Sequence, residues 1–282
     1  MALSIQSNMA SMSIQNQLGR SNNDLSTALE RLGSGFKINS AKDDAAGLQI
    51  ASRLNAQVRG QDAALYNSNN AMSMMQTAEG AFDEMTNIAY RMKELATQAA
   101  NGTNGTDEYT ALDAEYGELE KELKSIMDNT SFGGSPLLTS GKFAADVTFQ
   151  VGSSTSETLV VSVGTEVTAL TGAVDGSSLG DLTTQAAAST PATGAMALVD
   201  DLIDDIGSAR SALGASMNRL DHTMNNVTNM KENTQAAAST LMDADFAAET
   251  SNMTKQQLLM NSGISVLSTA NSTTSMIGSL LR

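Results

Sequence analysis

Cysteine and tryptophan are both missing from this 282-residue chain, which has only 2 prolines and 1 histidine. Without Cys there are no disulfides, no thiol nucleophiles and no Cys-ligated metal sites. Aromatics make up 4% of the residues, too little ring area for an ordinary compact core. The 17 Met, with abundant Leu, Ile, Val and Ala, can instead fill narrow seams between helices. Positive charge is scarce: 16 Lys and Arg stand against 31 Asp and Glu, a net charge of −15. That balance speaks against a nucleic-acid-binding surface. No run approaches the roughly 20 apolar residues of a membrane span. The start, MALSIQSNMA, has neither the basic nor the apolar region of a cleaved secretory signal. On these grounds the chain reads as cytosolic, or as leaving the cell by a route without such a signal.

The charge is unevenly placed. Residues 1–60 hold six basic and four acidic side chains, and residues 251–282 hold two basic and none acidic, which leaves −19 for the middle. Ends of low charge and an acidic middle fit a chain whose ends are buried and whose middle faces water.

What is present is mostly helical periodicity. Residues 3–32 carry Ile5, Met9, Met12, Leu18, Leu25, Leu29 and Leu32 at three-, four- and seven-residue steps, against a Ser, Asn and Gln back face. Gly33, Ser34 and Gly35 break this helix. Ser40 is the expected cap of the next, with Asp43 on its positive end. That helix covers about 41–100 without a Pro, along Ile50, Leu54, Val58, Leu65, Met72, Met75, Phe82, Met85, Met92 and Leu95. NGTNGT at 101–106 marks a turn. Tyr109, Leu112, Tyr116, Leu119, Leu123 and Ile126 then alternate three and four apart, a coiled-coil seam. DVTFQV (146–151) and TLVVSV (158–163) flank a Gly-Ser turn and read as a β-hairpin, with 164–193 as a loop. A helix from about Met196 to Ala238 and a last one over about 242–281 follow. The last carries Met253, Met260, Ile264, Leu267 and Leu281 on one seam, widened by Leu258, Leu259, Val266, Ile277 and Leu280.

The expected fold class is therefore mainly α: a long antiparallel helical bundle or coiled coil with a small β-hairpin, its N- and C-terminal helices paired. The terminal pair takes 1–40 and 242–282. The bundle takes 41–163 and 195–241, with the hairpin at about 146–163. Burying one Leu or Ile is worth about 1.5–3 kcal/mol, against about 1–2 kcal/mol of backbone entropy per ordered residue. Two thin terminal helices are marginal on that account and are expected to order fully when copies stack.

Catalytic patterns are missing. HExxH does not occur, and the lone His222 reads as a surface or seam residue. Gly141-Lys142 fails as a phosphate loop because Pro136 and Phe143 occupy its first and last positions. Asp200, Asp201, Asp204 and Asp205 form the densest acidic cluster, more in keeping with a solvated face than with a cation site, since the calcium-loop spacing is missing. No catalytic residues, metal ligands or cofactors are expected, and no enzyme.

Several stretches resemble the bacterial flagellins: ERLGSGFKINSAKDDAAGLQIASRL (Glu30–Leu54), RMKELATQAANGT (Arg91–Thr103), FQVG (Phe149–Gly152), LGASMNRLD (Leu213–Asp221), and DADFAAETSNMTKQQLLMNSGISVLSTAN with a final SLLR. The resemblance implies a subunit that self-assembles into the flagellar filament for swimming, with residues 164–194 a short bridge in place of outer variable domains. It implies type III export to the extracellular flagellum. It implies a homopolymer whose partners are an export chaperone, a filament cap and hook-associated proteins. Ile5, Met9, Met12, Leu18, Leu25, Leu29, Leu32, Leu259, Ile264, Leu267 and Leu281 would form the assembly seam. An animal innate-immune flagellin receptor would meet Arg91, Glu94, Leu95 and Glu115. Tyr90, Met92 and Lys93 depart there from the commoner Gln, Val and Arg. A hook–filament junction protein, which shares the terminal helices, is the alternative. A monomeric acidic binding module is the reading from a different class.

Overall fold

The computed structural model describes residues 8–175, 179, 182 and 191–280. The chain divides into two compact units, Met1–Val58 with Glu232–Arg282, and Arg59–Lys231. Both boundaries fall inside long uninterrupted helices.

In the first unit, α1 (Met9–Ser34) begins with the Asn8 side chain accepting from Ser11 N at 3.1 Å. Gly35 ends it in the left-handed region, φ 78°, with its N–H on Arg31 O. Gly33 and Ser34, expected to break the helix, are inside it. The helix α2 (Ala45–Ala99) is capped by Asp44, whose Oδ1 accepts from Gly47 N at 2.9 Å. This corrects Ser40 as the cap. Asp43 instead folds the preceding turn, its Oδ2 accepting from the backbone N–H groups of Asn39 and Ser40 and from the Ser40 hydroxyl. Those bonds, the one from Ser40 first, hold its carboxyl below the usual range. Across the unit, α5 (Pro191–Met242) and α6 (Phe246–Leu280) are joined by a turn in which Asp245 caps α6. The two turns are tied together by Lys37 N to Met242 O at 2.6 Å and Ala244 N to Gly35 O at 2.9 Å.

The helices α1 and α6 are antiparallel and approach closely along their length. Asn8 Nδ2 donates to Ala270 O, and Arg31 pairs with Glu249. The inward positions of α1 are Ser11, Ile14, Leu18, Ser21, Leu25, Ala28 and Leu32, alternating three and four apart. Those of α6 are Glu249, Met253, Gln256, Met260, Gly263, Leu267 and Ala270, in the same rhythm. Both are heptad seams, but their members include Ser, Ala, Gly and Gln. Gly263 is where the helices come nearest: a Cβ there would stand 2.6 Å from Leu18 Cδ2.

The second unit is cored by bulky side chains. Phe82, Met85, Met92 and Leu95 of α2 are fully buried with Tyr116, Leu123 and Met127 of α3 (Thr106–Asn129) and Leu202, Ile206, Leu213 and Leu220 of α5. Two short antiparallel pairs follow α3. In the first, β1 (Ser131–Phe132) and β2 (Ser135–Pro136) turn through Gly133 and Gly134, both at positive φ as a tight primed turn requires. In the second, β3 (Val147–Gln150) pairs with β4 (Thr158–Val161) in the register Val147 to Val161. Leu159 and Val161 point into the core while Thr158 and Val160 face out.

The stretch expected to be a loop from residue 164 is helical at its start. Gly164–Asp175 form α4, with Val167, Leu170 and Val174 buried. Its Thr, Val and Gly content has little helix propensity, so tertiary packing decides its state. Farther on, Tyr116 Oη donates to Leu179 O and Leu182 N donates to Asp113 Oδ1, both at 2.8 Å. The two Leu side chains are buried on the same core. Residues 191–194 of the expected bridge begin α5, and what is left of it lies outside the described residues.

Candidate functional site

The terminal helices leave many of their large apolar side chains in water. On α6, Leu258 is 63% exposed, Phe246 58% and Leu259 44%, with Ile264 and Val266 also open. On α1, Met9, Met12 and Leu29 are exposed. The expected assembly residues thus do not form one seam. Leu25 is buried between the two helices, and Leu18, Leu32 and Leu267 are half-buried there. Met9, Met12, Leu29, Leu259 and Ile264 are turned outward. Ile5 and Leu281 lie outside the described residues. The physical reason is that the inward heptad positions are shared between large residues and the small or polar Ser11, Ser21, Ala28, Gln256, Gly263 and Ala270.

A groove of about 220 Å³ runs between α1 and α6, walled by Ile14, Leu18, Leu259, Gly263 and Val266. A broader concavity from Phe246 to Ser262 is lined by α6 alone and is therefore an open face rather than a cavity. One ion pair interrupts this weakly charged pair of helices: Arg31 Nη1 lies 2.9 Å from Glu249 Oε1, and Glu249 is buried. Sequence reading missed Glu249 because nothing in the run AAETSN marks a carboxylate for burial.

The second unit carries the acidic surface. Arg91 of α2 holds Glu115 of α3 through Nε and Nη2 at 2.9 and 2.7 Å, and Glu94 through Nη1 at 2.6 Å. The hydrogen bonds from Glu115 and then Glu94 raise its already high pKa. Leu95 is apart from this trio, at 0% exposure in the core. Arg210 bridges Glu79 and Asp83, and Lys93 pairs with Asp200. His222 is exposed. Among the described residues no group of three or more His, Asp or Glu side chains could hold a metal ion. Among them no helix is long and apolar enough to cross a membrane.

Comparison with known proteins decides between the readings. Residues 5–143 match the bacterial flagellin N-terminal helical region, and residues 196–281 the bacterial flagellin C-terminal helical region. The chain belongs to the bacterial flagellin family. A flagellin of Listeria innocua is 35% identical over 285 residues, covering 99% of both chains. Flagellin A of Vibrio anguillarum is 33% identical over 381 residues, covering 100% of both. Among solved structures, a Vibrio parahaemolyticus protein named as flagellar hook-associated covers 71% of this chain and 99% of its own, at 15% identity and a TM-score of 0.55. That likeness shows the fold alone, so the junction-protein reading has less support than the filament subunit. Flagellins are structural proteins that assemble into the flagellar filament, a motility appendage outside the cell, and this chain is such a subunit.

In the acidic cluster of this flagellin, burial first and then Asp201, Asp204 and Glu166 push the Asp205 carboxyl above its usual range. A raised pKa in the folded state means that this group favours folding below the ordinary carboxylate range. That contribution is lost as pH rises through the raised value. Asp205→Asn should therefore raise the thermal midpoint at pH 7 and leave it nearly unchanged near pH 4. A fall at pH 7 alone would contradict the assignment.

Proposed function

We propose that copies of this flagellin meet through the outward faces of α1 and α6. One observation carries this reading: Met9, Met12, Leu29, Phe246, Leu258, Leu259, Ile264 and Val266 are exposed on a pair of helices with little charge to solvate them. Large apolar side chains left exposed in this number on one pair of helices are the material of an interaction site. Each Leu or Ile buried completely against another copy contributes about 1.5–3 kcal/mol. The second unit buries its own large side chains and needs no partner for its core.

Before assembly the same bare face requires cover, which is the role we assign to an export chaperone on α6. Export follows the flagellum's own type III route without a cleaved signal. Polymerisation takes place under a filament cap, on hook-associated proteins. The chain acts through assembly and not as an enzyme.

An animal innate-immune receptor, if it recognises this flagellin, meets Arg91, Glu94 and Glu115, which the helices α2 and α3 hold together at the surface. Leu95 lies beneath and contributes by packing. Arg91→Ala should weaken the receptor dose–response with little loss of thermal stability. Leu95→Ala should cost about 2–5 kcal/mol of stability, as large-to-small changes in a core do. An unchanged dose–response for Arg91→Ala removes the receptor reading.

The assembly reading is tested by Leu259→Asp. Leu259 is 44% exposed at the rim of the α1–α6 groove, so the change leaves the inward heptad positions in place but sets a charge where a copy would bury it. Polymerisation from seeds, followed by negative-stain electron microscopy, should fail while the melt of the second unit is unchanged. Filaments of normal length and yield would refute the outward face as the contact.

A further inference from the structure

The large apolar residues of the α1–α6 seam specify its register only weakly. Leu18, Leu25 and Leu32 recur one heptad apart on α1, and Met253, Met260 and Leu267 recur one heptad apart on α6. A slide of one heptad keeps Leu against Met or Leu at these positions. The fit of Leu18 over Gly263 does not repeat, since a slide brings Gln256 or Ala270 there. The charges do not repeat either. Arg31 Nη1 sits 2.9 Å from Glu249 Oε1, Glu249 is 9% exposed, and Arg31 Nε is buried with no acceptor. Glu249 is largely out of water and Arg31 partly so, and a slipped register would leave each without its ionic partner. A desolvated charge without a partner is among the costliest defects a seam can carry.

We propose that the Arg31–Glu249 ion pair, beside the close fit of Leu18 over Gly263, determines the register of the terminal helices, and that assembly depends on it. The dependence is geometric. The groove of Ile14, Leu18, Leu259 and Val266 takes residues from both helices and exists as such only in this register. A slip of one heptad displaces the exposed row of α6 along α1 by roughly 10 Å, at about 1.5 Å per residue. The composite face then no longer matches that of another copy. The proposal rests on the reading of the outward faces of α1 and α6 as the contact between copies.

The test is charge reversal in the full chain. Arg31→Glu and Glu249→Arg should each lower the yield of seeded polymer by about tenfold or more, the scale expected when one member of a desolvated pair is removed. The double variant Arg31→Glu/Glu249→Arg restores the pair in opposite sense and should recover most of the yield. Register is read separately by disulfide trapping, which has no background because the chain has no Cys. Asn8 donates to Ala270 O at 3.2 Å, so Asn8→Cys/Ala270→Cys should cross-link. The cross-link should fade with either single reversal and return with the double. Normal polymer from the single reversals, or a double variant as impaired as the singles, overturns the proposal. If Leu259→Asp polymerises normally while cross-linking follows the reversals, the face reading has failed and the register assignment stands.

Discussion

Two helices that approach closely must place small side chains at some of the positions between them. In the α1–α6 pair these are Ser11, Ser21, Ala28 and Gly263, and Leu18 lies so close over Gly263 that a Cβ there would force it to move. Interaxial distance follows the size of the side chains at the contact. Leu18, Leu25, Leu32, Met253, Met260 and Leu267 share the seam with them, while Met9, Met12, Leu29, Phe246, Leu258, Leu259, Ile264 and Val266 stay exposed. Exposed apolar side chains gain little from folding and much from a second surface. The proposed contact between copies rests on those that the seam leaves outside. Replacing the small inward residues with large ones would force the helices apart and change the face presented to a copy.

The bundle solves the opposite problem. In α2, α3 and α5 the inward positions are Phe82, Met92, Tyr116, Leu123, Ile206 and Leu213, and they fill the space between helices completely. The small strands and α4 close this core with Phe143, Val161 and Leu170. Charge remains on the outside, in pairs such as Arg91 with Glu115 and Arg210 with Glu79. Exposed pairs of this sort each contribute little, about 0–1 kcal/mol. Their effect is to keep an acidic surface wet and ordered. One unit thus buries its own large side chains, whereas the other leaves many of its own exposed.

Helix positions were legible in the sequence because breakers and periodicity agree. NGTNGT stands before α3, and Tyr116 and Leu123 sit inward as their spacing requires. The seam of α1 was not legible from apolar residues alone. Ser11, Ser21 and Ala28 hold heptad positions, but a count of hydrophobics assigns them to the back face, and it mistakes Met9, Met12 and Leu29 for the inward stripe. Counting small residues together with Leu and Ile at three- and four-residue steps would have found it. The helix α4 was hidden by weak propensity, and the depth of Leu95 by a resemblance that names residues without saying how deep they lie. The Asp44 cap was one residue from the Asp43 that drew attention, because both carboxylates accept backbone N–H groups and only geometry separates the turn from the helix start.

The central claim is that the terminal helices, and not the bundle, drive assembly. The most direct measurement compares seeded polymerisation of the full chain with that of a version trimmed to residues 45–240, viewed by negative-stain electron microscopy. Long filaments from the full chain and none from the trimmed one, with the bundle's thermal transition intact, are the predicted result. Filaments from both would contradict the account, because assembly would then be carried by the bundle.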